Sequence, residues 1–239
     1  AGCAPVPFLV RATRGYGLAI SNGERWRKLR RFTLTTLRDF GMGHKRMEEW
    51  IQEESQHLID SLDGTKAVHM QQEIDTVIGR QRIPQMEDRK SLPFTDAVIH
   101  EVQRFLDIVP FNIPHYATKN ISFRGYNIPQ GTVIIPMIHS VLRDQAHWVT
   151  PTPTTFNPDH FLDQNGNFQK NPAFLAFSAG KRACVGESLA RMEIFLFLVS
   201  LLQRFSFSCP GGPDNINLSP EFSSFANVPR HYQLIATRR

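Results

Sequence analysis

Along the first part of the chain, apolar positions recur at helical spacing with charge between them. In NGERWRKLRRFTLTTLRDFG, Trp26, Leu29 and Phe32 or Thr33 recur at helical spacing, so the KLRRF cations form one solvated face or flank something acidic. The stretch EEWIQEESQHLIDSL continues in the same manner, and further helices are predicted over VHMQQEIDTVIG and FTDAVIHEVQRFLDI. The boundary signal Pro93-Phe94-Thr95 starts the last of these. The pattern then changes: ISFRGYNIPQGTVIIPMI alternates and carries turn signals at Arg124-Gly125 and Gln130-Gly131, which predicts a small hairpin or sheet. Proline dominates from Trp148 to Pro158, as in an ordered irregular loop. GESLARMEIFLFLVSLLQRF is apolar nearly all round and predicts a helix central to the core. SSFANVPRHYQLIAT predicts short closing strands. The fold class is therefore mainly α with small β-sheets.

At 239 residues and 41% apolar content, the chain can bury a sizeable core as one or two domains, which excludes a disordered polypeptide. There are 27 Lys plus Arg against 22 Asp plus Glu. This mild excess suits an acidic partner or membrane headgroups and is too weak to argue for nucleic acid. The longest apolar run, IFLFLV within Ile194 to Leu202, is too short to span a bilayer, and no signal-peptide pattern opens the sequence. A beginning of AGCAPVP, without Met, reads as a piece whose start lies upstream.

Cys3, Cys184 and Cys209 are far apart, odd in number and without a C-x-x-C pair, so a disulfide framework and a cysteine-rich zinc site are both excluded. Cys184 has unusual surroundings. It lies between Gly180 and Gly186, follows Lys181 and Arg182, and precedes the long apolar helix. A helix N-terminus and nearby cations favour a thiolate, and the glycines leave room for a flat, bulky ligand such as a porphyrin. From the residues alone a nucleophile, a redox switch, a metal ligand and a small buried hydrophobe all stay open. A thiol enzyme needs an orienting histidine, and none of the nine histidines sits in a recognisable partner motif.

FSAGKRACVG, Phe177 to Gly186, meets every fixed position of F-x-x-G-x-R-x-C-x-G and so resembles the heme-binding signature of the cytochrome P-450 superfamily, the heme-thiolate monooxygenases. The resemblance implies that Cys184 is the proximal ligand of heme iron, an electron-rich sulfur that promotes O–O cleavage. Phe177, Gly180, Arg182 and Gly186 would surround the cofactor, heme b (iron protoporphyrin IX). It further implies propionate partners in Trp26 and Arg30 of W-x-x-x-R, in His115 of VPFNIPH, and in Arg182, since charge-assisted bonds to carboxylates are strong. Glu101 and Arg104 of HEVQRF share a helix face, where an exposed pair contributes about 0.2 to 0.5 kcal/mol. By resemblance they form the E-x-x-R motif that pairs with the later segment FNPDHF. There His160 stands where the superfamily usually has arginine and microsomal family 2 members often have histidine.

GYGLAISNGERW, RRFTLTTLRDFGMG, FTDAVIHEVQRF and FLAFSAGKRACVGESLARMEIFLFL resemble vertebrate family 2 enzymes, and the likeness covers nearly the whole chain. This implies substrate contacts at Gly15 to Ser21, at Phe111, Asn112 and Ile113, and at Phe225, with lipophilic substrates such as xenobiotics or fatty acids. It also implies electrons from NADPH through a cytochrome reductase, cytochrome b5 as a second partner, and the cytosolic face of the endoplasmic reticulum membrane. Arg25, Lys28, Arg31 and Arg38, with Lys181, would face the acidic redox partner, setting encounter rate and salt dependence.

Two departures qualify the resemblance. Cys3 occupies the place of an arginine that helps hold a propionate in relatives. Near Lys66 to Val68 the chain passes from EESQHLIDSLDGTKA directly into VHMQQEIDTVIGRQRIP, which lies beyond the long central helix of the family, and no A-G-x-[DE]-T-T pattern occurs. The expected organisation is an early helical segment, 1–66, with part of the substrate-contact region, followed by a heme-binding core, 67–239. This is a partial P-450 fold without the N-terminal anchor or the central distal helices. With the distal acid and threonine absent, no catalytic residue is assigned. Two functional expectations follow: a heme-thiolate monooxygenase, or a truncated or incomplete product that binds heme weakly or not at all and does not catalyse.

Overall fold

The computed structural model describes residues 3–5, 17–39, 64–148, 152–212, 219–223, 226–228, 230–231 and 233–239. The helical block expected over EEWIQEESQHLIDSL lies outside the described residues. The long helices are α1 (Gly23–Asp39), α2 (Gly64–Val77) and α3 (Pro93–Leu106). α1 carries the expected amphipathic spacing, yet none of its residues is buried, and Phe32 is 67% exposed. α2 runs without a break through Lys66 to Val68. α3 starts at the predicted proline, whose missing N–H is no loss in the first turn. Leu92 offers no side-chain cap. Glu73 of α2 replaces it, accepting from the Phe94 N–H at 3.0 Å, the Thr95 N–H at 2.8 Å and the Thr95 hydroxyl at 2.7 Å. A carboxylate there satisfies orphan donors and complements the helix dipole.

After α3 come four short strands, β2 (His115–Ala117), β3 (Ile121–Phe123), β4 (Tyr126–Ile128) and β5 (Val133–Ile134). β2 is the middle strand of an antiparallel sheet, with β5 on one side and β1 (Cys3–Pro5) on the other, so that His115 pairs with Ile134 and with Pro5. β3 and β4 form the predicted hairpin, with Arg124 at φ 50° and Gly125 at φ 83° in its turn. Two successive positive φ values match the right-handed twist of the flanking strands.

The short helix α4 (Ile138–Leu142) follows, and then the proline-rich loop with its 3-10 turn Pro158–Phe161. The signature loop leads into α5 (Glu187–Arg204). β6 (Phe205–Ser208) pairs with β9 (Ile235–Arg238), and β7 (Phe222–Ser223) with β8 (Asn227–Val228). At the end of α5, Gln71 Nε2 donates to the Leu202 and Phe205 carbonyls at 3.3 and 2.9 Å, and Arg239 Nη1 donates to the Leu202 carbonyl at 2.9 Å.

α3 sits between two cores. On one side Val98 and Ile99 join Met70 and Ile74 of α2 and Met192, Phe195, Leu196 and Val199 of α5. On the other, Ala97 joins Leu142, Trp148, Phe161 and Phe174. Burial on both faces explains why α3 is enclosed along most of its length and can shelter polar groups. Among the described residues, no helix is long and apolar enough to cross a membrane.

Candidate functional site

The signature residues form a turned loop closing onto the start of α5. Ser178 adopts φ 65° and Gly180 φ 69°, a left-handed pair that reverses the chain before the 3-10 turn Gly180–Arg182. The Cys184 N–H donates to the Phe177 carbonyl at 2.9 Å, which ties the two ends of the loop together. Cys184 is exposed and forms no disulfide. A Cβ built on Gly180 would meet nothing within 4 Å, and one on Gly186 would reach the Cys184 Sγ at 3.9 Å. Glycine at 180 therefore serves the backbone conformation, and glycine at 186 keeps the space beside the sulfur clear.

Cations from distant segments gather beside this loop. The Arg182 Cζ lies 3.9 Å from the centroid of the Trp26 ring, and the Arg30 Cζ lies 5.6 Å from the same ring. Arg30 donates to the Ala183 carbonyl at 3.0 Å. Arg182 donates to the Ser21 carbonyl at 3.2 Å and to Asn22 Oδ1 at 2.9 Å. Burial, and then the charge of Arg30, push the Arg182 guanidinium below the usual arginine value. Burial, followed by the Arg182 charge, holds the His115 imidazole below the ordinary histidine value. Among the described residues, the hydrogen bonds of Arg30 and Arg182 all end on neutral acceptors. Two mutually repelling guanidiniums beside an exposed thiol and a clear space fit a flat ligand that carries carboxylates. Beyond Arg30, a hollow of about 400 Å³ continues along α1, lined by Trp26, Leu34 and the arginines 27, 30, 31 and 38.

Behind the loop, Glu101 and Arg104 are fully buried and joined by two bonds of 2.7 Å, which rules out a solvent-exposed pair. Arg104 also donates to the carbonyls of Leu142, Pro153 and Thr155 at 2.7, 2.8 and 3.1 Å. Glu101 accepts from the Asn157 N–H at 2.7 Å, and His160 Nδ1 stands 3.2 Å from both of its carboxylate oxygens. The structure thus brings Glu101, Arg104 and His160 together. Trp148 completes the node, 5.1 Å from the Arg104 Cζ and edge-on to His160 at 5.6 Å.

Of the residues assigned to substrate, Phe111 is exposed and Ile113 half-buried, while Phe225 lies outside the described residues. Asn112 is committed elsewhere: at φ 52° it donates from Nδ2 to the Ser178 hydroxyl at 2.8 Å and accepts from the Ile113 N–H at 2.7 Å. It ties its own loop to the cysteine loop. That loop is also fixed at Asp107, a left-handed C-cap whose buried carboxylate receives His139 at 2.6 Å and Arg143 at 3.2 Å. Sequence reasoning missed Asn22 and Asp107, and it gave Ser21 and Asn112 to substrate without the bonds that tie them to Arg182 and Ser178. For Asn22 a signal existed, because asparagine followed by glycine before a helical run is a capping pattern.

A family model described as "Cytochrome P450" matches residues 5–69 and 67–236 of the chain. Among curated proteins, "Cytochrome P450 2F3" of Capra hircus is 52% identical over 172 residues, covering 72% of this chain and 35% of that protein. "Cytochrome P450 2F1" of Homo sapiens is 53% identical over 165 residues, 69% of this chain and 33% of the relative. "Cytochrome P450 2C7" of Rattus norvegicus is 54% identical over 165 residues, with the same coverage of 69% and 33%. The chain spans about a third of the length of the curated relatives it matches.

Proposed function

The chain belongs to the cytochrome P450 family, and from that premise we propose that it carries the proximal, heme-binding part of a microsomal monooxygenase acting on lipophilic substrates. The observation that carries this reading is the exposed sulfur of Cys184 in a glycine-flanked loop, with Arg30, Arg182 and His115 gathered alongside and, among the described residues, only neutral acceptors for the hydrogen bonds of the two arginines. Cys184 would hold the iron of heme b. Arg30 and Arg182 would hold the propionates, with His115 beside them and Trp26 stacked behind the guanidiniums. Bound heme would supply the reductive activation of dioxygen, with one oxygen atom entering a substrate C–H bond and the other leaving as water after two electrons and two protons are delivered.

The protein's own groups prepare that chemistry. The Cys184 N–H bond to Phe177 fixes the loop that presents the sulfur, and the Glu101–Arg104–His160 node locks the proline-rich segment behind it. Phe111 and Ile113 offer apolar surface toward a lipophilic substrate, and Asn112 sets their position. NADPH-cytochrome reductase and cytochrome b5 are the partners proposed for the arginines of α1, at the endoplasmic reticulum membrane.

A second reading rests on a separate observation: the family match falls in two stretches that meet at Ala67 to His69, inside the unbroken helix α2. On that reading the chain joins segments that are apart in its relatives, and retains heme without turning over. Loading the chain with hemin and supplying reductase, NADPH and a lipophilic arene separates the two. NADPH-dependent hydroxylated product supports the monooxygenase, stable heme without product supports the second reading, and failure to retain heme overturns the first.

A further inference from the structure

His100 immediately precedes Glu101, yet takes no part in its node. It is 2% exposed, and its ring lies 5.3, 4.6 and 5.2 Å from those of Phe161, Phe168 and Phe174. On one side Nδ1 stands 2.8 Å from the Asp96 carbonyl and 3.2 Å from Asp96 Oδ1. On the other, Nε2 meets Arg191 Nη1. A guanidinium has donors and no acceptor, so Nε2 must present its lone pair and Nδ1 must carry the hydrogen. Both ring nitrogens are used.

Arg191 is the other half of the connection. Its Nε and Nη2 donate to Glu187 Oε1 at 3.0 and 2.9 Å, within α5. Its Cζ lies 5.3 Å from the Phe174 ring and 5.3 Å from the Phe177 ring. Phe177 is the residue whose carbonyl receives the Cys184 N–H. A continuous set of contacts therefore runs from Asp96, anchored by Arg89 at 2.9 Å, through His100 and Arg191 to the closing bond of the cysteine loop.

We propose that His100 is a positioning residue for the Cys184 sulfur: its unprotonated Nε2 holds Arg191 against Phe177, and so fixes the loop that presents the thiolate. This rests on the reading of Cys184 as the heme ligand. The loop's rigidity can nevertheless be measured without heme.

The test uses the full chain with His100→Phe and His100→Gln. Phenylalanine keeps the aromatic packing and removes the acceptor. Glutamine gives up the ring but retains an amide oxygen for Arg191 and an amide hydrogen for the Asp96 carbonyl. Hydrogen exchange of the Cys184 amide is read in the heme-free chain, with the Ile121–Ile128 hairpin as internal reference. Reduced carbon monoxide spectra are then read after hemin addition. In His100→Phe the Cys184 amide exchanges about tenfold faster, as expected when one charge-assisted bond leaves the opening equilibrium, and the hairpin is unchanged. The thiolate-type Soret band shrinks in the same variant, and His100→Gln restores both readouts. Tolerance of phenylalanine with damage from glutamine overturns the proposal in favour of ring packing alone, and equal exchange in all three chains also overturns it. Should His100→Phe not fold, Arg191→Met removes the same contact from α5 and must loosen the loop equally. A parent chain without any thiolate band sinks the heme assignment, while the exchange data still decide the role of His100.

Discussion

Arg182 lies over the Trp26 ring, its Cζ 3.9 Å from the centroid, and this contact joins the cysteine loop to a helix from the opposite end of the chain. An arginine in this place gains from the ring quadrupole by about 0.5 to 2 kcal/mol, depending on desolvation. It also stands close to a second guanidinium, that of Arg30. Replacing Arg30 or Arg182 by Gln is expected to weaken hemin binding by roughly 10- to 100-fold, the value of one charge-assisted hydrogen bond. A spectroscopic titration checks this. The same titration with heme dimethyl ester should show little difference between parent and variants, because the ester removes the carboxylates that the arginines would hold.

Breaking the Glu101–Arg104 pair leaves an uncompensated charge in a fully buried place. Glu101→Ala or Arg104→Ala should each destabilise the chain by about 3 to 5 kcal/mol, as for other buried pairs. Urea unfolding measures this. In the double variant the loss should be well below the sum of the two, since the groups act as one unit. Additive losses would mean that the pair contributes through its other contacts.

Much of this was legible in the sequence, and for definite reasons. Proline 93, the Arg124-Gly125 turn and the apolar run of α5 are local signals that tertiary packing had no cause to override. The cysteine signature and E-x-x-R were legible because their spacings carry chemistry. What stayed hidden is long-range. Nothing periodic says that Asn112 will bond to Ser178, or that His100 will meet Arg191 across the core. α1 shows the opposite failure: Phe32 keeps a helical register yet stands 67% exposed, since spacing fixes a face and does not supply the surface that covers it.

His115 gives the expected pH dependence. Burial and the neighbouring Arg182 lower its folded value, so the unfolded chain takes up a proton near 6.5 while the folded chain resists it. Stability from this group is present above 6.5 and is lost as pH falls through the lowered folded value. Urea midpoints should therefore fall on acidification through this window, and His115→Phe should flatten the decline. Arg182→Gln should raise the histidine's titration midpoint in an NMR pH series.

Gly180 sits at φ 69° with open space around the missing side chain. Gly180→Ala should thus cost about 1 to 2 kcal/mol through the backbone alone, with no steric clash to relieve. Hydrogen exchange should place the loss in the 177–186 loop and leave the core of α3 and α5 protected.

The most direct measurement is the reduced carbon monoxide difference spectrum of the hemin-loaded chain beside its Cys184→Ala variant. The parent should give the red-shifted Soret band of a thiolate-ligated heme, and the variant should lose that band while the arginines still retain some hemin. A red-shifted band that persists without Cys184, or a parent chain that binds hemin and never shows it, would contradict the assignment of Cys184 as the ligand of heme iron.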